Sequence, residues 1–138
     1  MGLSLKPGLS LALVLALGFG AGAAAKTPLR EQKEIDDKML WVALAIEISD
    51  RCAAIAPRTL TGLSYLWGLK SDASKLGYTD DEIRAYVRSD AEKARMRRRG
   101  EAYVRAKGLD PESDADLCAL GTQEMEKGSQ IGAFLKEK

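Results

Sequence analysis

The sequence predicts an all-α fold, a small four-helix bundle or an orthogonal helical array with one disulfide. In the 113 residues from Lys26 onward, Ala and Leu total 26 whereas Val and Ile total 9. This ratio favours helix over sheet, because β-branched side chains are the strand-forming ones. Four segments repeat apolar residues at three- and four-residue steps, the spacing of one helix face. Two of them carry Cys52 and Cys118, the pair that we expect to be oxidised.

The first 25 residues are typical of a secretory signal peptide. A single charge, Lys6, precedes an apolar run over residues 9–19, and small residues at 23–25 form a signal-peptidase site. We therefore expect cleavage before Lys26 and a periplasmic or secreted mature protein. The alternative is a retained anchor, since about 20 uncharged apolar residues span a bilayer. After this leader we expect no transmembrane segment, because no later apolar run has that length.

Residues 26–34 (KTPLREQKE) are polar and contain Pro28, which predicts an extended arm outside the core. A single helical domain follows over residues 35–138. Its first helix is predicted to begin near Ile35 or Asp36 and to stop before Pro57. Apolar residues at helical spacing predict its buried stripe, namely Leu40, Leu44, Ile48, Cys52 and Ile55.

A second helix fits residues 58–76, with Gly77 as a left-handed cap. Gly62 and Gly68 inside it each cost about 1 kcal/mol relative to Ala, so a neighbour approaches closely there or the helix is imperfect. The residues assigned to its buried side are Leu60, Leu63, Leu66 or Trp67, Leu69, Ala73 and Leu76.

The run Thr79-Asp80-Asp81-Glu82 is a capping box and predicts the start of a third helix. Helical spacing continues to Lys107, and a helix of about 28 residues makes a bend near Gly100 plausible.

A fourth helix is predicted to open at Asp110-Pro111-Glu112, with Ser113 and Asp114 as later starting points. Two interpretations of its end remain open. Either one long helix places Gly121, Met125, Gly128 and Gly132 on one face, or Gly128 ends the helix and Ser129 caps a short last one.

Export predicts a disulfide between the two cysteines, because a disulfide persists in an oxidising compartment. Closing a loop of about 67 residues stabilises the fold by roughly 4 kcal/mol in the chain-entropy model. The alternative, a reactive thiol or a pair of soft metal ligands, lacks a C-x-x-C spacing, a third cysteine and any histidine.

Composition and motifs exclude many functions. The chain has no histidine, the commonest general base and zinc ligand. From Lys26 onward 20 basic residues balance 20 acidic ones, and aromatic residues are sparse beside the basic ones, so nucleic acid is not an expected partner. No phosphate loop, dinucleotide fingerprint, calcium loop or nucleophile elbow is present, and we predict no cofactor and no metal site.

The densest charge feature lies on the predicted third helix, where residues 84–107 contain nine basic and three acidic residues. Such a helix can dock an anionic partner, because arginine binds carboxylate and phosphate through two parallel hydrogen bonds. The competing interpretation is a solvated helix face, partly neutralised within the fold, that adds solubility without a partner. The predicted exposed group is Arg95, Arg98 and Arg99, with Arg88 or Arg105.

Glu47 stands between two isoleucines of the most apolar helix, where burial could raise its pKa as a general acid requires. Arg51, four residues on, offers the ordinary explanation of an intrahelical ion pair. Trp41 and Trp67 also lie on apolar helices, where a bulky aromatic residue is more often part of the core than a docking patch.

Four segments, EIDDKMLWVALAIEISDRC, LGYTDDEIRAYV, EKARMRRRGEAYV and CALGTQEMEKGSQIG, together resemble a family of small exported bacterial proteins catalogued as a domain of unknown function. The resemblance covers the chain from about Leu29 to Leu135. It implies an exported helical domain with the two cysteines, and no activity or catalytic residue.

The sequence therefore predicts a non-catalytic exported protein. We expect it to bind or stabilise an envelope component, an envelope protein or an anionic surface, through the basic helix. The alternative is a small carboxylate-dependent hydrolase of an envelope polymer with Glu47 as its acid, and an exposed Glu47 beside Arg51 would remove its only candidate residue.

Overall fold

The computed structural model describes residues 25–138, so the predicted signal peptide lies outside the described residues except for its last position. The described chain forms one 3-10 helix, six α-helices and a two-stranded antiparallel sheet. In chain order they are η1 (Leu29–Glu31), α1 (Lys33–Arg51), β1 (Ile55–Pro57), α2 (Thr59–Lys75), α3 (Asp80–Arg88), α4 (Asp90–Ala106), α5 (Asp114–Lys127), α6 (Gln130–Ala133) and β2 (Leu135–Glu137). The predicted all-α fold with one disulfide is confirmed.

Helix α1 is the centre of the molecule and packs against α2, α4, α5 and α6. Its predicted stripe is buried, and Ile48 has no exposed surface. The predicted end before Pro57 is wrong, because the helix stops at Arg51 and residues 55–57 pair with Leu135–Glu137 of β2. Pairing with the distant C-terminus therefore replaces the last helical turn.

The disulfide joins Cys52, the residue that ends α1, to Cys118 in α5, with 5.1 Å between the two Cα atoms. The prediction that these cysteines pair within one chain is confirmed. The bond fastens the central helix to the helix that also packs most extensively against α6.

The predicted third helix is two helices. The capping box is confirmed, since Thr79 Oγ1 accepts from the Glu82 amide at 3.2 Å and Glu82 Oε2 accepts from the Thr79 amide at 2.7 Å. The chain then breaks at Ser89, which is extended and caps α4 by accepting from the Glu92 amide at 3.2 Å. Gly100, where a bend was predicted, lies inside α4 against Leu44 of α1, and the interruption of the helix comes eleven residues earlier, at Ser89.

The second interpretation of the C-terminal region is confirmed. Helix α5 begins after the Ser113 cap and ends at Gly128, whose φ is 63°. Ser129 then caps α6 by accepting from the Gly132 amide at 3.1 Å. Gly132 of α6 lies against the backbone of Glu124 of α5, so the two helices leave no room for a side chain at position 132.

The N-terminal arm differs from the expectation, because it contributes to the core. Leu29 of η1 is buried with Ile35, Leu69, Ala73 and Tyr78 in a second apolar cluster beside the main one. Its polar residues also bind the body of the protein, as when Lys26 Nζ contacts Glu82 and the Gly77 carbonyl, both at 2.8 Å.

Within residues 25–138, every helix is too short or too polar to cross a membrane.

Candidate functional site

The predicted arginine group is divided by the fold. Arg95 and Arg99 share a face of α4, as predicted, but that face is turned towards α1 and both side chains are largely buried in ion pairs. The prediction that they are exposed is wrong. Arg88, Arg98 and Arg105 are exposed, and Arg105 pairs with Glu101 at 3.3 Å.

Asp36, in the first turn of α1, is the acceptor that binds these arginines, and its residue surface is only 3% exposed. Arg95 Nη1 donates to its Oδ2 at 3.0 Å, and a second Arg95 nitrogen and one Arg99 nitrogen also donate to the carboxylate. Tyr86 of α3 donates to Oδ1 at 2.5 Å. One carboxylate thereby joins α1, α3 and α4.

Two neighbouring acids extend this network. Arg99 Nη2 donates to Asp37 at 2.5 Å, and Arg95 Nε donates to Glu92 at 2.7 Å. Glu92 also pairs with Arg30 of η1. The basic residues on this side of α4 are therefore neutralised within the fold, which favours the second interpretation over an anion-docking surface for them.

The pKa of Asp36 has two opposing influences. Burial raises it, but the hydrogen bonds from Arg95 and Tyr86 and the charges of Arg95 and Arg99 outweigh burial and lower the pKa below its ordinary value. Burial and the hydrogen bond to this carboxylate raise the pKa of Tyr86. Asp36 is thus held ionised and carries no proton to donate to a substrate.

Among the described residues, Arg88, Arg97 and Arg98 form no ion pair. All three are exposed. Exposed arginines on helix surface add solubility and attract anions weakly, since water screens their charges.

Glu47 is exposed, with 55% of its side chain accessible, and pairs with Arg51 at 3.2 Å. Arg51 also binds Asp114 at 2.7 Å and the carbonyl oxygens of Pro111 and Glu112, both at 2.7 Å. The hydrolase interpretation thereby loses its candidate acid, and the pair instead holds the loop before α5 against the end of α1.

A buried carboxylate that the sequence analysis missed is Glu124 of α5, which is 1% exposed. The Tyr103 hydroxyl donates to it at 2.6 Å and Lys127 Nζ lies 3.3 Å away. Burial raises its pKa, but bonds from Ser129, Tyr103 and Lys127 outweigh burial and lower it. Burial and this contact raise the pKa of Tyr103 to about 12. The contact between Tyr103 and Glu124 joins α4 to α5, and the Glu124 carboxylate is ionised like that of Asp36.

Among residues 25–138, no three acidic or cysteine side chains are arranged so that they could hold a metal ion. The charged groups brought together by the fold are ion pairs between helices. A group of exposed apolar side chains lies on α2.

The predicted buried side of α2 is only partly buried. Leu69 and Ala73 face the core, with Tyr65 and Leu66 partly covered, whereas Leu76 is exposed at the end of the helix. We define the α2 face as Leu60, Leu63 and Trp67, whose residue surfaces are 84%, 49% and 68% exposed. At 100° per residue these three side chains fall within about 60° of one another and form one apolar stripe.

The spacing of the leucines in the sequence already indicated that part of α2 would be exposed. Leu60 and Leu69 are nine residues apart, which places them about 180° apart on a helix, so both could not belong to one buried side. Trp67 was expected in the core, and it instead lies in solvent with Lys70 Nζ 5.8 Å from its ring centre.

Two shallow grooves flank α2 and share Thr61. One, of about 710 Å³, lies between α2 and Lys38 of α1 and is lined by Leu60, Gly68 and other α2 residues. The other, of about 630 Å³, lies between Arg58 and the segment from Gly128 to Glu137. Leu60 of the α2 face lines the first of these grooves, whereas Leu63 and Trp67 line neither.

A family model described as "Family of unknown function (DUF5333)" matches residues 27–136 of the chain. No curated protein and no solved structure matches the chain significantly. Because the match covers most of its length, the chain belongs to this family.

Proposed function

We propose that this member of the DUF5333 family is a non-catalytic, exported protein that binds another protein of the cell envelope through the α2 face. The observation that carries the proposal is the exposure of Leu60, Leu63 and Trp67 along one helix side. Grouped exposed apolar side chains beside a groove are typical of protein interaction sites, and tryptophan is among the residues that contribute most to binding.

Two features support export. The first 25 residues have the charge, apolar run and small residues of a signal peptide. The Cys52–Cys118 disulfide is of the kind that persists in oxidising compartments such as the periplasm. The partner is accordingly sought in the envelope.

The α2 face is a better docking surface than the basic helix. Arg95 and Arg99, the centre of the predicted basic group, are bound to Asp36 and Glu92 or Asp37 within the fold. The remaining exposed arginines have no apolar residues grouped with them in the way that Trp67 is grouped with Leu60 and Leu63. Apolar burial supplies most of the free energy of association, whereas exposed charges supply little.

The proposal is tested by photo-crosslinking in the native envelope. A benzophenone amino acid at Leu63 should form an adduct with one discrete protein, because Leu63 lies in the middle of the stripe. Mass spectrometry identifies that protein, which is then purified. Its affinity for the Trp67→Ala variant should fall by about thirtyfold, the loss typical of an aromatic residue at an interface centre.

The matched control carries the same photoreactive residue at Arg97, which is exposed on α4. It should give no adduct with that protein. The proposal is wrong if the two positions give the same adducts, or if the purified partner binds the Trp67→Ala variant as tightly as the natural protein.

A further inference from the structure

We infer that the α2 face is covered by an uncharged apolar cleft of the partner protein, into which α2 inserts. This assignment rests on the proposed function and specifies the chemistry of the surface that the partner presents. Three observations support it: the spacing of the exposed side chains, their prominence above the neighbouring surface, and the absence of charge around them.

The α2 face has the anchor spacing of a helix that binds in a groove. Leu60, Leu63 and Trp67 occupy positions i, i+3 and i+7, and the exposed Ser64 occupies position i+4. At 100° and 1.5 Å per residue, these four positions lie within about 100° of one another and extend about 10 Å along the helix. This is the pattern by which an amphipathic helix fills a hydrophobic groove of another protein.

The face is a ridge. Leu63 and Trp67 line neither of the grooves beside α2, and 68% of the Trp67 surface is accessible. Leu60, at the other end of the stripe, is 84% exposed. A projecting side chain is fully buried only where the covering surface is concave. The concave element of the contact therefore belongs to the partner.

The face also carries no charge. Charged residues make up 30% of the chain, yet residues 59–69 contain none, although most of these positions are exposed. The outer side of a surface helix normally carries charged and polar residues. The charges that bound this stretch are engaged by the rest of the fold, since Arg58 Nε donates to the Leu135 carbonyl at 2.9 Å and Lys70 Nζ lies 3.3 Å from Asp80. An uncharged cleft is complementary to such a face, because a charge buried against it would lose its water without gaining a partner.

A second copy of this chain and a lipid surface fit these observations less well. Two ridges in contact would bury little more than three side chains from each copy, whereas stable interfaces bury about 800 Å² per partner. A cleft also covers the flanks of the helix, among them Ser64 and Gly68, and so buries a larger area. A helix that binds anionic lipid carries Lys and Arg beside its apolar residues, and residues 59–69 have neither.

The test introduces a charge of either sign into the stripe. The exported protein, with its disulfide intact, carries Ser64→Lys, Ser64→Glu or the uncharged control of similar length, Ser64→Met. Its affinity is measured for the purified protein that the Leu63 adduct identifies. Both charged variants should bind about a hundredfold more weakly than Ser64→Met, because each buries a charge without a partner. Binding of the natural protein should not change with salt, since no exposed charges pair across the contact.

Two controls separate this effect from changes in folding and in net charge. Because Ser64 is exposed, all three variants should retain the melting temperature of the natural protein. Arg98→Glu changes the charge at an exposed position of α4 and should leave binding unchanged.

Opposite effects of the two charges at Ser64 would show that the partner surface is charged and would overturn the inference. Unchanged binding of both also overturns it, because Ser64 is then not enclosed, and so does an equal loss in Ser64→Met, because size rather than charge then weakens binding. In these three cases the Leu63 adduct and the weak binding of Trp67→Ala persist, so the proposed function stands. A Leu63 adduct with a second copy of this chain or with lipid alone, or no discrete adduct, overturns the inference and the proposed function together.

Discussion

Replacing Asp36 by Asn tests whether the arginines of α4 are structural. The substitution keeps the volume of the side chain and removes the charge that Arg95 and Arg99 share. The carboxylate is 5% exposed, whereas the two arginine side chains are 22% and 30% exposed. Removing one partner of a buried ion pair costs about 3–5 kcal/mol, and the partial exposure of the arginines places the expected loss near 3 kcal/mol.

The assay is urea unfolding followed by far-ultraviolet circular dichroism with the disulfide intact. In thermal unfolding, the same loss of about 3 kcal/mol lowers the melting temperature of a domain of this size by about 10 °C. The matched control is Asp37→Asn at the next position, where the side chain is 44% exposed and binds only Arg99. That change should cost under about 1 kcal/mol, as exposed ion pairs do.

Acidity provides a second measure of the same interaction. The pKa of Asp36 is lowered in the folded protein from its ordinary value of 3.8, so its ion pairs stabilise the fold fully above that value. The stabilisation is lost as the pH falls through the lower folded pKa. The difference between natural protein and Asp36→Asn should therefore be constant near neutrality and shrink below about pH 4. Equal stability of the Asp36 and Asp37 variants at pH 7 would refute the reasoning.

The remaining predictions concern cleavage of the leader, the disulfide and the packing of two glycines. The mass of the exported protein should correspond to a chain that begins at Lys26 with Cys52 and Cys118 oxidised together, and two free thiols or a covalent dimer would contradict this. Cys52→Ala should lower the free energy of unfolding by roughly 4 kcal/mol, measured by thermal unfolding. Gly121→Ala should destabilise by about 1–3 kcal/mol, because its Cβ would lie 2.5 Å from Ile55 Cδ1. Gly62→Ala, with no atom within 4 Å, should stabilise α2 by up to about 1 kcal/mol, and equal effects at the two glycines would refute the packing argument.

Local signals in the sequence were reliable where the deciding contacts are local. Thr79 and Glu82 form the predicted capping box, and Gly128 and Ser129 end and restart the chain as one interpretation required. The same rule applied to Ser89, three residues before Glu92, would have divided the third helix. The periodic spacing across Ser89 obscured that break, because two consecutive helices can keep similar spacing.

The roles of charged residues depended on distant partners. Arg95 and Asp36 are 59 residues apart in the chain, so no spacing rule connects them. Glu47 and Arg51 are four residues apart, and their ion pair was predictable from that spacing. Most of the candidate site could not be predicted from the sequence for the same reason. The exposure of Trp67 depends on which distant elements cover α2.

By itself, the sequence determined the helical class, the position of most caps, the central apolar helix and the pairing of Cys52 with Cys118. These follow from backbone propensity, from periodicity within one segment, and from a pair of cysteines that has only one partner each. Tertiary structure alone decided that the inner arginines of α4 are bound by Asp36 and that the α2 face is left in solvent. A helix presents the same apolar stripe whether or not a neighbour covers it, and only the packing of the whole chain determines which stripes are buried.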